Sequence, residues 1–460
     1  MNVSSFLRIP WLLLAAALVV LALGVAFAPL AAALGVLALA AASVLVWRFG
    51  AARGLWFLLL ASIPLREPLS IDIVGTVSLF PTDLLLFSLA VAAVARDGIR
   101  PAWRESPAFR IGLLIVLLAL PGLVTASRLL WGVNAVYRLL AQVAMLLLAR
   151  RMVRSGRDAA AALTAVVAGL APVIIYGFQQ AFLPYGAELP DWSQHYTAWD
   201  ALGRKTVRIF STFRHPLHLS HYLSVGLGLS LGLASSPVRK GARWFLLAVG
   251  GAGAICNLFT SSIGGLIGMS AGVLTTLVLQ RRRRIVLLAP VFLVALLLFA
   301  PPAIRTKLGR VVAGQATTGA ARLVTYNQAL SVLWDRPVLG VGWGSVRSTL
   351  EYEYRVTRAE AVAFTAENYF LQRGVAMGVP GLALAVILCI LFFRNAVRPR
   401  GELPDPSWPR FAVLTAGIVF YAQAQSFPAT YLCGNLVLWL LFAIAERMRE
   451  DALSRKGVAP

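Results

Sequence analysis

LLAQVAMLLLARRMVRSGR, residues 139–157, is an apolar run that ends in four arginines: Arg150, Arg151, Arg154 and Arg157. An apolar stretch closed by a basic cluster reads as a helix leaving a bilayer on its cytoplasmic side. The pattern recurs. Of 460 residues, 59% are hydrophobic and 13% charged, and apolar runs of about 20 residues, the length a bilayer demands, follow one another. The fold class implied is all-α: a polytopic helical integral membrane protein of about 12–14 transmembrane helices. A transmembrane barrel would show short alternating segments instead.

The other basic clusters fall at alternate gaps: Arg48/Arg53, Arg96/Arg100/Arg104/Arg110, Arg239/Lys240/Arg243, Arg281–Arg284, Arg394/Arg398/Arg400/Arg410 and Arg447/Arg449/Arg455/Lys456. Each lies two spans after the last, so one map places them all, with both termini, in the cytoplasm. Spans begin near residues 10, 29, 55, 81, 111, 132, 159, 217, 245, 262, 285, 367, 410 and 431. The run Pro10–Phe27 has the length of a signal peptide. A second run, Pro29–Trp47, follows with no clear cleavage site, so the first is read as a retained helix. The net charge of +23 is explained by the positive-inside rule without nucleic acid. Cys256, Cys389 and Cys433 lie in apolar runs without metal-ligand spacing and read as small buried hydrophobes.

The chain is read as one transmembrane domain, 1–460, with one large outer loop, 301–366. Within that loop ARLVTYNQALSVLWD (321–335) has helical spacing and RPVLGVGWGS (336–345) reads as a glycine-rich turn. Two outer segments break the positive-inside expectation. GRKTVRIFSTFRHP (203–216) carries Arg204, Lys205, Arg208 and Arg214 with no acid; IRTKLGRVVAGQATTGAAR (304–322) carries Arg305, Lys307, Arg310 and Arg322 with no acid. Both abut spans. Together they point to an anionic ligand at the outer membrane–water boundary, although lipid headgroups alone would also suit them. Guanidinium forks match phosphate oxygens, and a lipid-linked diphosphate would sit at this depth. No Walker loop, dinucleotide fingerprint or HExxH occurs.

Polar residues inside spans add candidates. Arg138 interrupts WGVNAVYRLLAQ (131–142) and points to a cavity or a paired structural charge. Gln179 and Gln180 end a span, as sugar ligands or as helix-end solvation. His215, His218 and His221 stand three apart beside Pro216 with no acid or cysteine to complete a metal site. Gly264, Gly268 and Gly272 in TSSIGGLIGMSAG (260–272) form small-xxx-small steps, read as close helix packing.

The order of these pieces resembles the O-antigen ligase / O-antigen polymerase family of bacterial envelope enzymes, from about residue 55 to 445. The matching residues are Ile63 and Pro64; Pro81, Thr82 and Asp83; Arg208, Phe213 and Pro216; Arg322 at the head of the loop helix; Pro337, Gly340, Gly342 and Gly344; and Asn368, Phe370, Leu371, Gly378 and Gly381 in ENYFLQRGVAMGVPG (367–381). Two positions depart from the family pattern: Glu367 stands for a His and Ile263 for an Arg. The resemblance implies glycan transfer at the outer face of the bacterial inner (cytoplasmic) membrane. The donor would be a polyprenyl-diphosphate-linked glycan and the acceptor a glycan or a lipid-linked glycan, with membrane lipids as surroundings and no nucleotide, metal or other cofactor. The missing His tips the choice slightly toward a polymerase, or a ligase with a non-standard acceptor.

The chemistry is displacement at an anomeric carbon. Fixed cations should meet the departing diphosphate, and Arg208 and Arg322 are the candidates. A general base should take the acceptor proton; Glu367 suits this if burial raises its pKa. A carboxylate at a helix start also has a plain structural reading, with Thr365 as cap and Arg373 as a possible ion-pair partner. Lys205, Arg214, Arg310, His215, Asn368, Arg138 and Tyr326 are the candidate substrate-binding residues. Tyr369 and Trp343 are read as sugar-stacking or, more simply, packing residues. Two other readings stay open: a transporter or flippase of an anionic lipid-linked substrate, and an inactive relative serving as an assembly partner.

Overall fold

A computed structural model describes residues 50–65, 71–74, 77–79, 81–124, 126–182, 197–199, 205–280, 305, 309, 317–354, 366, 368–397, 407–426, 429 and 431–455. The expected span starts near 10, 29 and 285 lie outside these residues, as do Arg310 and Glu367. By its internal contacts the chain divides into Met1–Leu60 and Ala61–Pro460.

The protein is helical. The longer described helices are α1 (Ala51–Ser62), α2 (Pro81–Asp97), α3 (Pro107–Ala119), α4 (Leu129–Met152), α5 (Gly156–Ala168), α6 (Leu170–Phe182), α7 (Pro216–Ala234), α8 (Lys240–Phe259), α9 (Ile263–Leu279), α10 (Thr317–Asp335), α11 (Tyr369–Ala396), α12 (Arg410–Ala422) and α13 (Leu432–Ser454). Each span expected within the described residues has its helix. By length and composition, five stretches can cross a membrane: Pro107–Val124, Leu129–Met152, Gly156–Phe182, Lys240–Phe259 and Tyr369–Ala396. The expected loop helix is α10. Two short antiparallel ribbons, β1 (Ile71–Val74) with β2 (Val77–Leu79) and β3 (Thr197–Trp199) with β4 (Lys205–Val207), were not anticipated. Both lie in segments expected to be outer loops.

The described helix ends that carry basic clusters gather at one end of Ala61–Pro460. Arg150 at the end of α4 pairs with Glu446 (3.0 Å) and Glu450 (2.7 Å) on α13 and with Glu105 (3.2 Å) just before α3. Arg449 reaches Asn395 at the end of α11 (3.3 Å), and Arg410 the Ala396 carbonyl (3.4 Å). Gln280 after α9 bonds Ser235 after α7, and a Cβ on Gly232 of α7 would lie 2.3 Å from Ala412 Cα at the start of α12. The glycines of α9 pack as expected: Gly264 lies against Ser426, Gly268 against Gln423 and Gly272 against Val419.

The helix α11 is not one straight span. Gly378 has φ 70° and ψ −168°. A Cβ on Gly381 would lie 2.8 Å from the Arg373 carbonyl, whereas residues eight apart in a straight helix are about 12 Å apart. The chain therefore folds back at Gly378 between an arm Tyr369–Met377 and an arm Val379–Ala396. A broken helix leaves carbonyls without intrahelical donors. The glycine-rich turn supplies them: Val341 N–H donates to the Val375 carbonyl (2.9 Å) and Gly342 N–H to the Ala376 carbonyl (3.0 Å), while Val379 N–H donates to the Pro337 carbonyl (2.7 Å). Gly340 (φ 63°) fits because a Cβ there would lie 2.4 Å from the Val375 oxygen. The two glycine motifs are thus one structural unit. Gly378→Ala should destabilise the protein by more than about 1 kcal/mol, since alanine at positive φ is strained and its Cβ would meet the Pro337 oxygen at 2.4 Å. Thermal unfolding in detergent reads this, and an unchanged midpoint would refute the folded-back geometry.

Candidate functional site

The end opposite the arginine clusters carries the candidate site. Its floor is the segment 208–215 that leads into α7. Pro216 opens the helix at its first turn, where its missing N–H costs nothing, and His215 is the N-cap, its Nδ1 accepting from Leu217 N–H at 3.0 Å. Phe213 is buried against Tyr222 and Tyr431. Thr212 donates to the Pro64 carbonyl at 2.7 Å, which ties the early Ile-Pro motif to this floor. Gln180, at the end of α6, is tied to this floor: its Oε1 accepts the Phe210 and Ser211 amides at 3.2 and 2.7 Å.

Arg208 is anchored. Its Nε donates to the Thr260 carbonyl at 2.8 Å, in the turn between α8 and α9. Ser211 (φ 49°) and Ser261 (φ 51°) are the positive-φ non-glycine residues among those described. They lie in the two segments that Arg208 joins. Such strain persists where surroundings over-determine it, commonly at functional sites. Between α7, α8 and α9 lies an apolar cavity of about 390 Å³, with Leu227, Leu258 and Val273 in its walls. Leu258, two residues before Thr260, is the wall residue nearest in sequence to the guanidinium anchor, and Leu231, Leu247 and Leu277 carry the cavity toward the far ends of these helices.

A polar network fixes that turn. Asn257 Nδ2 donates to Ser224 Oγ (2.9 Å) and to the Ser220 carbonyl (3.2 Å), and Gln423 Nε2 donates to the Gly264 carbonyl (2.5 Å). Two residues beyond Gln423, the Gln425 carbonyl accepts from Tyr326 on α10. Arg322, one turn earlier on α10, is half-buried. The helix that bears Arg322 is thus tied to the chain after α12, which bonds the start of α9 through Gln423.

The other expected residues separate. Arg138 on α4 bonds Asn134 through its Nε (3.2 Å) and lies within electrostatic reach of His218, whose ring stacks on Tyr431 at 4.5 Å. Arg214 is exposed, and Lys205 lies on β4. Asn368 is the N-cap of α11, its Oδ1 accepting the Phe370 and Leu371 amides at 3.0 Å each. The helix starts after Glu367, with no acid in its first turn. Asn368 is thus the cap of this helix, while Glu367 and Thr365 lie outside the described residues. Tyr326 donates its hydroxyl to a backbone carbonyl, and Tyr369 is buried against Phe420 at 5.8 Å, so Tyr369 is a packing residue.

His215 is held neutral: burial, then the nearby Arg208, pushes its pKa down to about 4. The unfolded chain takes up this proton near pH 6.5, the folded chain near 4. His215 therefore contributes stability that is present above about pH 6.5 and lost as pH falls toward 4. Melting curves of wild type and His215→Gln across pH 4–7 should show a shallower acid-side slope in the variant; parallel slopes would contradict it.

Two residues escaped the sequence reading. Asn257 and Gln423 interrupt apolar runs, and an amide in a membrane helix often joins neighbours. Arg373 is fully buried, 4.9 Å over the Tyr369 ring, with Nη2 3.4 Å from Gln142 Oε1. Among the described residues no carboxylate pairs with it, and its Nε and Nη1 make no hydrogen bond.

Residues 245–386 match the family model described as O-antigen ligase (Wzy_C). Over these residues the chain is similar to the O-antigen ligase family. The match runs from α8 through α9, α10 and the glycine-rich turn into α11. It therefore covers the Thr260 anchor, Arg322, Asn368 and the Gly378 reversal. Arg208 and His215 lie before the match. No curated protein matches the chain. Similarity to the O-antigen ligase family accords with a membrane enzyme that processes lipid-linked glycans.

Proposed function

We propose that this chain is a glycosyltransferase that moves a polyprenyl-diphosphate-linked oligosaccharide onto an acceptor glycan or lipid at the outer face of the bacterial inner membrane, as a polymerase or a ligase. One observation carries the reading: a guanidinium, Arg208, is anchored at Thr260 on the α8–α9 turn, and the wall of an apolar cavity between α7, α8 and α9 starts at Leu258, two residues earlier. A diphosphate headgroup with an isoprenoid tail has that combination of charge and grease. The acceptor oxygen attacks the anomeric carbon, the carbon–oxygen bond to diphosphate breaks, and the acceptor proton passes to Glu367. Arg208 and Arg322 meet the charge that grows on the leaving diphosphate. Arg214, Lys205 and Arg310 extend the basic rim; His215, neutral, and Asn368 shape its helix starts; Tyr326 holds α10, and Arg138 approaches from α4.

The test is transfer from a polyprenyl-diphosphate-linked glycan to candidate acceptors, read as elongated glycan and released polyprenyl diphosphate. Glu367→Gln should lower the rate by about 10²–10⁴-fold, the usual range for a general base, and Arg322→Ala should also cut it. Full transfer by Glu367→Gln would remove Glu367 as base. The reversal at Gly378 favours a second reading, because broken helices also serve transporters. A transporter moves the glycan with its diphosphate intact, so the same assay separates the two.

A further inference from the structure

The arginine end of the bundle holds its own cavity, of about 760 Å³, framed by α3, the chain after α4, the end of α11 and α13. Five arginines and four acids line it, but the acids are already engaged. Glu446 takes Arg150 (3.0 Å), Ser106 (2.6 Å) and the Ala108 amide (3.1 Å). Glu450 takes Arg150 and Arg447 (2.7 and 2.8 Å), and Glu105 takes Arg150 (3.2 Å). Asp451 takes Arg455 (3.2 Å), which stands outside the cavity wall.

The remaining arginines have no such partner. Among the described residues no carboxylate pairs with Arg104, Arg110 or the Arg154 side chain, and Arg449 donates to the neutral Asn395 amide oxygen (3.3 Å). Four guanidinium groups thus face one concavity without a paired carboxylate among the described residues. Trp408 and Pro107 add apolar wall. Guanidinium forks fit phosphate oxygens. The cavity lies at the ends of membrane helices, the depth of lipid headgroups, and basic pockets between such helices hold anionic headgroups.

We propose that this cavity binds the phosphate headgroup of an anionic phospholipid, separately from the candidate active site at the other end of the bundle. The test uses the purified full chain in detergent and native mass spectrometry with cardiolipin, phosphatidylethanolamine and inorganic pyrophosphate. Wild type should retain cardiolipin in preference to phosphatidylethanolamine. Arg104→Gln/Arg110→Gln should lose roughly tenfold or more of that affinity. Both side chains are exposed and outside the Arg150 network, so the melting midpoint should stay put; Arg449→Gln provides a second, independent loss. Arg100→Gln/Arg157→Gln removes as much charge from the same end without touching the cavity wall and should leave binding unchanged. Equal loss in this control pair would reduce the effect to general surface charge and overturn the site. So would the absence of a cardiolipin preference, or pyrophosphate bound as tightly as the lipid, which would mark a soluble phosphate ligand.

Discussion

Arg150→Ala is expected to cost the fold about 3–5 kcal/mol, the range for breaking a buried ion pair from one side. The guanidinium is 2% exposed and its partner Glu446 is 4% exposed. Without Arg150, Glu446 keeps only Ser106 Oγ and the Ala108 amide, and its charge has no buried counter-charge. Glu450 and Glu105 lose the same partner, with Arg447 remaining 2.8 and 3.9 Å away. Since this network joins α4 and α13 to the chain before α3, the loss should lower the melting midpoint and the monodisperse fraction in detergent. The cause is checked by Arg150→Met with Glu446→Leu. A buried pair replaced whole by apolar residues is often neutral or better, so the double variant should recover much of the loss. A double variant as unstable as the single one would mean that the buried charge is not the reason.

Arg208→Ala is expected to lower glycan transfer by about 10²–10³-fold, the effect of deleting one preorganised donor to developing charge. The fold should lose only about 1 kcal/mol, from the hydrogen bond to the Thr260 carbonyl. The loss should fall on the single-turnover rate more than on donor binding, because the leaving diphosphate gains charge only as its bond breaks. Arg208→Lys keeps the charge but not the planar fork, so it should recover part of the rate. Transfer by a folded Arg208→Ala protein within a few-fold of wild type would remove Arg208 from the reaction.

Much of the frame was legible because its cause is local and repeated. Apolar runs closed by arginines report helix ends one after another, and the structure gathers those ends: Arg150 meets Glu446, and Arg449 meets Asn395. Helix α10 announced itself by the spacing of its apolar residues. The reversal at Gly378 did not, because a 28-residue apolar helix reads as one long span until its backbone is seen to turn. Its proof is a contact between residues eight apart, which no periodicity encodes. The role of Gln180 was hidden for a related reason: the donors to its Oε1, the Phe210 and Ser211 amides, lie some 30 positions on. At the site, Arg208 was visible as a charge in the wrong place for the positive-inside rule. Its anchor at Thr260 was not, since a backbone carbonyl carries no signature of its own.

The hydrogen bonds between the glycine-rich turn and the arms of α11 set a rule for anyone who recombines such proteins. Val375 and Ala376 receive their donors from Val341 and Gly342, and Val379 gives its own to Pro337. A loop transplanted from a relative with its boundary between residues 344 and 375 would arrive with the donors and leave the matching acceptors behind. The natural module for exchange is therefore the continuous piece from Pro337 through Gly381, and chimeras cut inside it should express poorly even when both parents are sound.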